Sequence, residues 1–387
     1  MTQRRLGTLS VTAVAVSLAT VVASSPSSSW AQVAAQLGAT PGWYVTPSAS
    51  LTEQYDDNVF LSSSKRESDF LTRITPGFKA GYHSTPFTLL GNFSFDSEIF
   101  AEHPELGGAA NGKQVGLQTS YMPTQVLTLG LNATFTETQT PGLLNAQTGI
   151  EQGRARSTRV SASPTVAYKL TPLTTGHASY SYTTSDANGL TTVGHQAGLG
   201  LARQLTPVDT GTVDYGLSVT ESDGASSTTS HTLTAGWSRR FTERTGVSLR
   251  AGPRFTEGAI NPEINAELSH KFKTAQLALN YYWSESTLAG QAGTVKAQGV
   301  SASLTAELLK SLTAAVAPSV RQTSSEHNSN SPDVTVYGVD ASVSYQLTRW
   351  LTANAAYHFT FQQQRPADIE HSTISIRFDV IYPLRVH

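Results

Sequence analysis

The sequence predicts an all-β fold, a transmembrane antiparallel up-and-down β-barrel of about 18 strands (roughly 16–18), with short periplasmic turns and longer outer loops. Three observations predict it. Apolar and polar residues alternate with a period of two through most of the chain. Tight turns alternate with connections that are mostly longer and rich in Gly, Ser, Asn, Asp and Glu. Beyond the N-terminal region, no segment reaches the roughly 20 apolar residues of a membrane-spanning helix.

The clearest hairpin lies near the C-terminus, within residues 340–362. Apolar side chains occupy every second position from Ala341 to Leu347 and, after a tight turn at 348–350, again from Leu351 to Phe361. Each predicted strand is longer than the roughly five to six residues of a typical globular strand. A continuous apolar face opposite a polar, weakly charged face is expected where one face meets lipid and the other meets water.

Composition narrows the functional classes. The 387 residues carry a formal net charge of −2 and no cysteine, which gives no electrostatic reason to expect nucleic acid and excludes disulfides and thiolate metal sites. The ten His are scattered without a His-Glu-x-x-His spacing, and no hydrolase elbow, phosphate loop or dinucleotide fingerprint is present. The sequence therefore predicts no enzyme, no cofactor and no metal site.

Residues 1–31 have the pattern of a secretory signal peptide. Arg4 and Arg5 precede an apolar stretch from Leu6 to Ala23, and small residues lie at the cleavage positions of Ser29-Trp30-Ala31. The alternative is an uncleaved anchor helix; interruption by Thr and Ser and the following Ser/Pro-rich run favour cleavage. The predicted organisation is then a periplasmic lead (32–42), an outer-membrane barrel (43–382) and a C-terminal tail (383–387).

The strands follow in order from the first candidate, Trp43–Tyr55, which returns through Phe70–Tyr82 and continues from Phe87. The last is His371–Tyr382, so the count is even, as expected for a closed bacterial barrel. Short turns recur near residues 84, 124, 172, 207, 243, 273, 310 and 349. The longest connection on the other side is Thr140–Gly153.

One set of charged residues is predicted to point into the barrel, because lipid at mid-depth rejects Arg or Lys at a cost of about 2–4 kcal/mol. Either these charges line a pore that handles polar solutes, or they form packed networks that keep the barrel round, and both can hold. Arg250 and Arg254 on one strand, with Glu263 and Glu267 on the next, favour a network there. The full set is Arg73, Lys79, Asp96, Arg159, Lys169, Asp214, Arg250, Arg254, Glu263, Glu267, Glu307, Arg321, Asp340, Arg377 and Asp379.

Aromatic residues near predicted strand ends on the apolar face are expected to form the girdle at the membrane interface. The alternative is core packing in a soluble sheet protein, and the alternation of turns favours the girdle. The residues are Trp237, Phe241, Tyr281, Trp283, Tyr345, Trp350, Tyr357 and Phe359. Separately, Asp56-Asp57-Asn58 has oxygen ligands for a cation, but such a cluster more often begins a solvated loop.

The chain resembles β-barrel porin family 2, outer-membrane barrels often associated with exopolysaccharide systems. The resemblance rests on Tyr55-Asp56-Asp57-Asn58-Val59-Phe60, Ser68-Asp69-Phe70-Leu71, Ile74-Thr75-Pro76-Gly77 and the repeated Leu-Thr turns. It implies an outer-membrane barrel and, more loosely, polysaccharide export. Such barrels commonly end on an aromatic residue that the assembly machinery recognises, whereas here five residues follow Tyr382.

The expected function is an outer-membrane channel for hydrophilic solutes, with the exit pore for a secreted exopolysaccharide as a specific form. Its partners would be outer-membrane lipid, the barrel-assembly machinery and, for export, polysaccharide or periplasmic export components, with no nucleic acid. Lumen aromatics that would favour sugars are scarce, with Tyr282 and Tyr337 available only if the register shifts. The alternative is a non-conducting structural or surface-interaction barrel whose loops, Thr140–Gly153 first among them, contact partners.

Overall fold

A computed structural model describes residues 41–325, 333–382 and 384–386. The predicted signal peptide (1–31) and most of the predicted lead lie outside the described residues, so both stay predictions. Within the described residues, no helix has the length and apolarity needed to cross a bilayer. The strands are β1 (Gly42–Asp56), β2 (Asp69–His83), β3 (Phe87–Phe100), β4 (Gly108–Tyr121), β5 (Leu127–Thr138), β6 (Ser157–Thr171), β7 (Thr174–Ala187), β8 (Leu190–Gln204), β9 (Asp209–Ser222), β10 (Thr228–Arg240), β11 (Thr245–Thr256), β12 (Ala259–Lys271), β13 (Ala275–Ser286), β14 (Val295–Leu309), β15 (Leu312–Ser325), β16 (Val334–Gln346), β17 (Leu351–Gln363), β18 (Ile369–Ile381) and a short β19 (Leu384–Val386).

The long strands form one closed antiparallel ring. Each pairs with the next in sequence, and β1 pairs with both β2 and β18, so the ring has no free edge. The short β19 continues the pairing of β18 along β1, since Ser48 lies opposite Ile381 and Trp43 lies opposite Val386 in the same register. The prediction of an 18-strand up-and-down barrel is confirmed.

The apolar stripes lie on the outside of this barrel. Leu199, Val213 and Ile374 are 62%, 56% and 56% exposed, and they alternate with inward-facing polar side chains. Buried apolar residues in the described chain form only small clusters beneath loops near one end. Among the residues that the structure describes, no second sheet covers the stripes, so these side chains gain apolar contacts only if hydrocarbon surrounds the barrel.

The two ends of the barrel differ in their connections. At one end, here the turn end, the connections between strands are two to five residues long. At the other end, here the loop end, most connections are longer, and the longest comprises residues 139–156. The expected strict alternation of short and long connections is wrong at two places, because Asn188-Gly189 and Glu257-Gly258 are two-residue turns at the loop end. All four residues have positive φ, as tight hairpin turns require.

Candidate functional site

The longest connection, residues 139–156 between β5 and β6, folds into the barrel and is called here the crossing loop. It contacts β13, β17 and β18 as well as the connection after β1. In the ring of eighteen strands, β14 stands nine strands from β5 and is therefore opposite to it. The crossing loop thus spans the lumen from one wall to the other.

Local hydrogen bonds shape the crossing loop. It starts with a 3₁₀ turn at Pro141–Leu144, which is followed by the buried Asn145. The Asn145 side chain donates to the Ile150 carbonyl at 3.2 Å and accepts from the Ala289 amide at 2.9 Å. Gly149 then adopts φ +67°, and a Cβ there would lie 2.6 Å from a guanidinium nitrogen of Arg321. Glycine is therefore favoured where the loop meets the wall.

Apolar packing holds the crossing loop inside the barrel. Leu144 packs with Ala187 and Ala289. Ile150 packs with Leu288, Val295, Val334 and Val336. Val334 and Val336 are inward-facing apolar residues on a mostly polar inner wall. Their apolar character follows from their packing with Ile150 of the loop. These contacts give the loop a small hydrophobic core within the barrel, so it is a packed element that narrows the lumen.

Glu151 is the main polar anchor of the crossing loop. Its amide donates to the Gln362 side chain at 2.8 Å. Its two carboxylate oxygens lie 3.0 Å from His371 Nδ1 and 3.4 Å from His358 Nε2. Burial alone would raise the pKa of Glu151, but the hydrogen bonds to His358 and His371 outweigh it and hold the pKa at about 2. The carboxylate is therefore ionised at neutral pH.

Arg154 is the second anchor, near the loop end of β1. Its Nε donates to the Val59 carbonyl at 2.8 Å, and its Nη2 lies 3.6 Å from Asp56. The guanidinium also stacks over the Phe100 ring, 5.0 Å from its centroid. Together, Glu151 and Arg154 tie the returning half of the crossing loop to β17, β18 and β1.

All fifteen charged residues predicted to point inward do so, since each lies on the register face opposite the exposed apolar side chains. Arg254 pairs with Glu263 on the next strand at 3.0 Å, as the network hypothesis expects. The other two residues of the expected network do not join it among the ion pairs of the described residues: Glu267 forms none, and Arg250 contacts Asp214 at 3.4 Å on the opposite side. Their role in lining a pore stays a prediction.

Several of the other predicted charges have a charged or polar partner on the inner wall. Arg73 pairs with Glu98 at 2.7 Å, Arg377 with Asp379 at 3.0 Å, and Asp340 with His358 at 2.7 Å. Asp96 accepts from Thr75 at 2.6 Å. Toward the turn end the inner wall is open to water, and the exposed inward residues there include Thr165, Lys169, Asn265, Glu267, Thr305, Glu307 and Ser342. The lumen is thus narrowed toward the loop end and hydrated toward the turn end.

The predicted interface aromatics all lie outside the lumen, but at different depths. Trp237, Phe241, Tyr345 and Trp350 lie at the turn end. Tyr281 lies at the middle of β13 and Tyr357 at the middle of β17, rather than near a strand end. Trp283 and Phe359 each lie two residues further along the same strands, toward the loop end. Only the first four occupy the position of a girdle at the turn end.

The two tyrosines considered for the lumen separate. Tyr282 faces inward without any register shift, because it pairs with Asn265 and Gly299 on the inner face. Its hydroxyl contacts the Gln147 carbonyl of the crossing loop. Tyr337 faces outward and is 42% exposed, beside Phe361.

Asp56-Asp57-Asn58 opens the connection after β1 through side-chain hydrogen bonds, as the loop interpretation expects. Asp56 accepts from the Asn58 amide at 3.0 Å, and Asp57 accepts from the Ser372 amide at 2.6 Å. The Asn58 side chain is buried and donates to the Ser62 carbonyl at 3.0 Å. These bonds tie the loop to β18.

Sequence reasoning missed the residues that meet Glu151. His358 and His371 lie on neighbouring strands, offset by two residues in register, since His358 pairs with Thr373 and Thr360 pairs with His371. The available signal was the parity of each strand, which places both imidazoles on the inner face. The position of Glu151 had no comparable signal, because it belongs to a loop without periodicity.

No protein-family model matches the chain, and no curated protein matches its sequence. Among solved structures, it is similar to Pseudomonas aeruginosa OpdO, with a TM-score of 0.51 and 10% identity, covering 89% of this chain and 98% of that one. Acinetobacter baumannii OccAB4 has a TM-score of 0.49 and 9% identity, covering 89% and 99%. The P. aeruginosa outer membrane protein OpdK has a TM-score of 0.47 and 10% identity, covering 87% and 99%. At this identity, the likeness to OpdO establishes a shared fold alone.

Proposed function

We propose that this chain is an outer-membrane channel that passes small hydrophilic solutes. The observation that carries the proposal is the contrast between the two faces of one closed sheet. The outer face is apolar and exposed, while the inner face is built mainly from Ser, Thr, Gly, Asn and Gln with interspersed charges. A barrel of sixteen to eighteen strands is of the size class that leaves an aqueous channel.

The crossing loop would act as the selective constriction. It holds Glu151 and Arg154 in the lumen, beside the part of the wall that carries Arg321 and Asp340. Because the lumen excludes bulk water where the loop packs, charges there act on a passing ion more strongly than charges at the wide end. The loop end would face outward and the turn end the periplasm, as in barrels of this kind.

Membership of β-barrel porin family 2 and a role as the exit pore for an exopolysaccharide form a narrower version of this proposal. The short motifs of the resemblance support it. Its weakness is the scarcity of rings that sugars stack on, since the inward-facing Tyr, Phe and Trp of the described strands are Tyr44, Phe100 and Tyr282. Phe100 is buried and Tyr282 bonds the crossing loop. A gene deletion that removes secreted polysaccharide but leaves small-solute permeability unchanged would support export.

The test of the channel is conductance in planar lipid bilayers. We expect discrete openings from the purified barrel, and larger, less ion-selective openings after residues 142–152 are replaced by a short Gly-Ser linker. A matched control shortens the connection at 223–227, whose residues are all exposed, and should leave conductance unchanged. Migration of unheated samples on SDS gels checks that each variant is folded. Folded barrels that stay closed both with and without the crossing loop would overturn the proposal and favour the non-conducting alternative.

A further inference from the structure

We propose that Glu151, His358 and His371 form a binding site for a divalent transition-metal cation of the zinc type, which would join the crossing loop to the barrel wall. One nitrogen from each ring and one carboxylate oxygen lie within 4.8 Å of one another. The Glu151 oxygens are already 3.0 and 3.4 Å from the two nitrogens. Ligand atoms about 2.0–2.2 Å from a tetrahedral zinc ion are themselves on the order of 3.3 Å apart, so little movement is needed.

The surroundings of the two imidazoles match those of metal-binding histidines. In such sites the ring nitrogen that does not bind the metal is usually held by a carboxylate, which fixes the tautomer and the ring orientation. His358 turns Nδ1 toward Asp340 at 2.7 Å, and His371 turns Nε2 toward Asp56 at 3.2 Å. Both rings therefore present their remaining nitrogen to Glu151 in a fixed orientation. A simple ion pair between one histidine and one acid does not require this doubled arrangement.

The charges of the cluster can accommodate a divalent cation. Three carboxylates contact the two imidazoles, those of Glu151, Asp56 and Asp340. Among the described residues, the guanidinium within ion-pair distance of these carboxylates is that of Arg154. These four groups sum to two negative charges. Protons on the two rings balance them when no metal is bound, and a divalent cation that displaces those protons leaves the balance unchanged.

A second grouping, Asp56, Asp57 and His371 Nε2, also brings possible ligands together. It is the weaker candidate, because the carboxylates already accept hydrogen bonds from the protein. Asp57 takes the amide and the hydroxyl of Ser372, at 2.6 and 2.8 Å. Imidazole nitrogens with a single carboxylate instead suit zinc and its neighbours among the transition metals, whereas Mg²⁺ and Ca²⁺ prefer oxygen ligands. The Thr360 hydroxyl lies 2.9 Å from His358 Nε2, and a metal ion on this nitrogen would replace that hydrogen bond.

Isothermal titration calorimetry with zinc tests this proposal. The sample is the untagged full barrel in detergent, from which a chelator has first removed any bound metal. We expect saturable binding of one ion per chain and no competition from excess Mg²⁺. His358→Ala and His371→Ala should each weaken binding by more than about 10-fold, and Asp340→Asn, which removes an orienting carboxylate, by about 10-fold. X-ray absorption at the zinc edge should show nitrogen ligands from two imidazoles.

The matched control is His177→Ala. His177 also faces inward and contacts one carboxylate, Asp214 at 2.9 Å, but no second imidazole of the described residues lies beside it. This variant should bind zinc as the wild type does. Glu151→Gln changes a ligand on the loop and no strand residue, so a loss of zinc binding in this variant cannot be ascribed to misfolding of the barrel. The proposal is overturned if wild type shows no saturable binding, which would mean that protons on the two rings balance the charge, or if the His177 variant loses as much affinity as the others. Neither result depends on whether the barrel conducts.

Discussion

Placing an arginine on each face of one strand tests which face of the barrel meets lipid. Val300 lies near the middle of β14, 54% exposed, between Tyr281 and Val320 on the neighbouring strands. Ser301, the next residue, faces inward between Asn280 and Ser319. Val300→Arg should destabilise the folded barrel by about 2–4 kcal/mol, the cost of Arg near the bilayer midplane. That corresponds to roughly a 30- to 900-fold change in the folding equilibrium constant.

Two matched variants make this prediction sharp. Ser301→Arg places the same side chain in the lumen and should change stability by no more than about 0.5 kcal/mol, as surface substitutions do. Leu308→Arg keeps the outward face but lies next to the turn end of β14 and should cost about 0–1 kcal/mol. The assay is reversible guanidinium unfolding in phospholipid vesicles, followed by tryptophan fluorescence. Equal costs for Val300→Arg and Ser301→Arg, or a larger cost for the latter, would refute the assignment of the faces.

Two further predictions concern the loop end. Gly149→Ala should destabilise the crossing loop by about 1–2 kcal/mol, because a left-handed φ of +67° is costly with a Cβ; amide exchange in residues 139–156 should speed up, whereas Gly153→Ala should leave it unchanged. His103 lies 2.9 Å from both Asp69 and Glu67, and these hydrogen bonds, Asp69 first, raise the pKa of His103 above 6.5, while Lys65 and His103 lower the pKa of Glu67 below 4.5. The contribution of His103 to the stability of the folded barrel is complete below about pH 6.5 and is lost as the pH rises through its higher folded pKa. The contribution of Glu67 to stability is present above about pH 4.5 and is lost as the pH falls below that value. A titration of the His103 ring by NMR with a midpoint at or below 6.5 would contradict this.

The barrel could be predicted from the sequence because its organising rule is local. In a strand with one face toward lipid, the side-chain period is two, and a slip by one residue would move every apolar side chain into water. Residues such as Val343, Tyr345 and Tyr357 therefore fix both the strand and its facing without knowledge of any partner. The same rule placed Arg321 and Asp340 inside. It also places Tyr282 inside in the regular register, although an inward position was expected only with a register shift.

The crossing loop could not be predicted in this way, and the reason is physical. Its position depends on pairs such as Glu151 with His371 and Arg154 with Val59, which lie 220 and 95 residues apart. Those contacts form only after the ring closes and brings β1 and β18 together. A loop rich in Gly and Gln has no periodicity to show whether it extends into solvent or folds inward. Its length marked the loop as unusual. Whether the loop lies on the outer surface or in the lumen depends on inward-facing partners, chiefly Val336, His358 and Gln362. Those partners are recognisable only once the strand register is known. The candidate functional residues of this barrel therefore lie where a loop without periodicity meets a wall with strict periodicity.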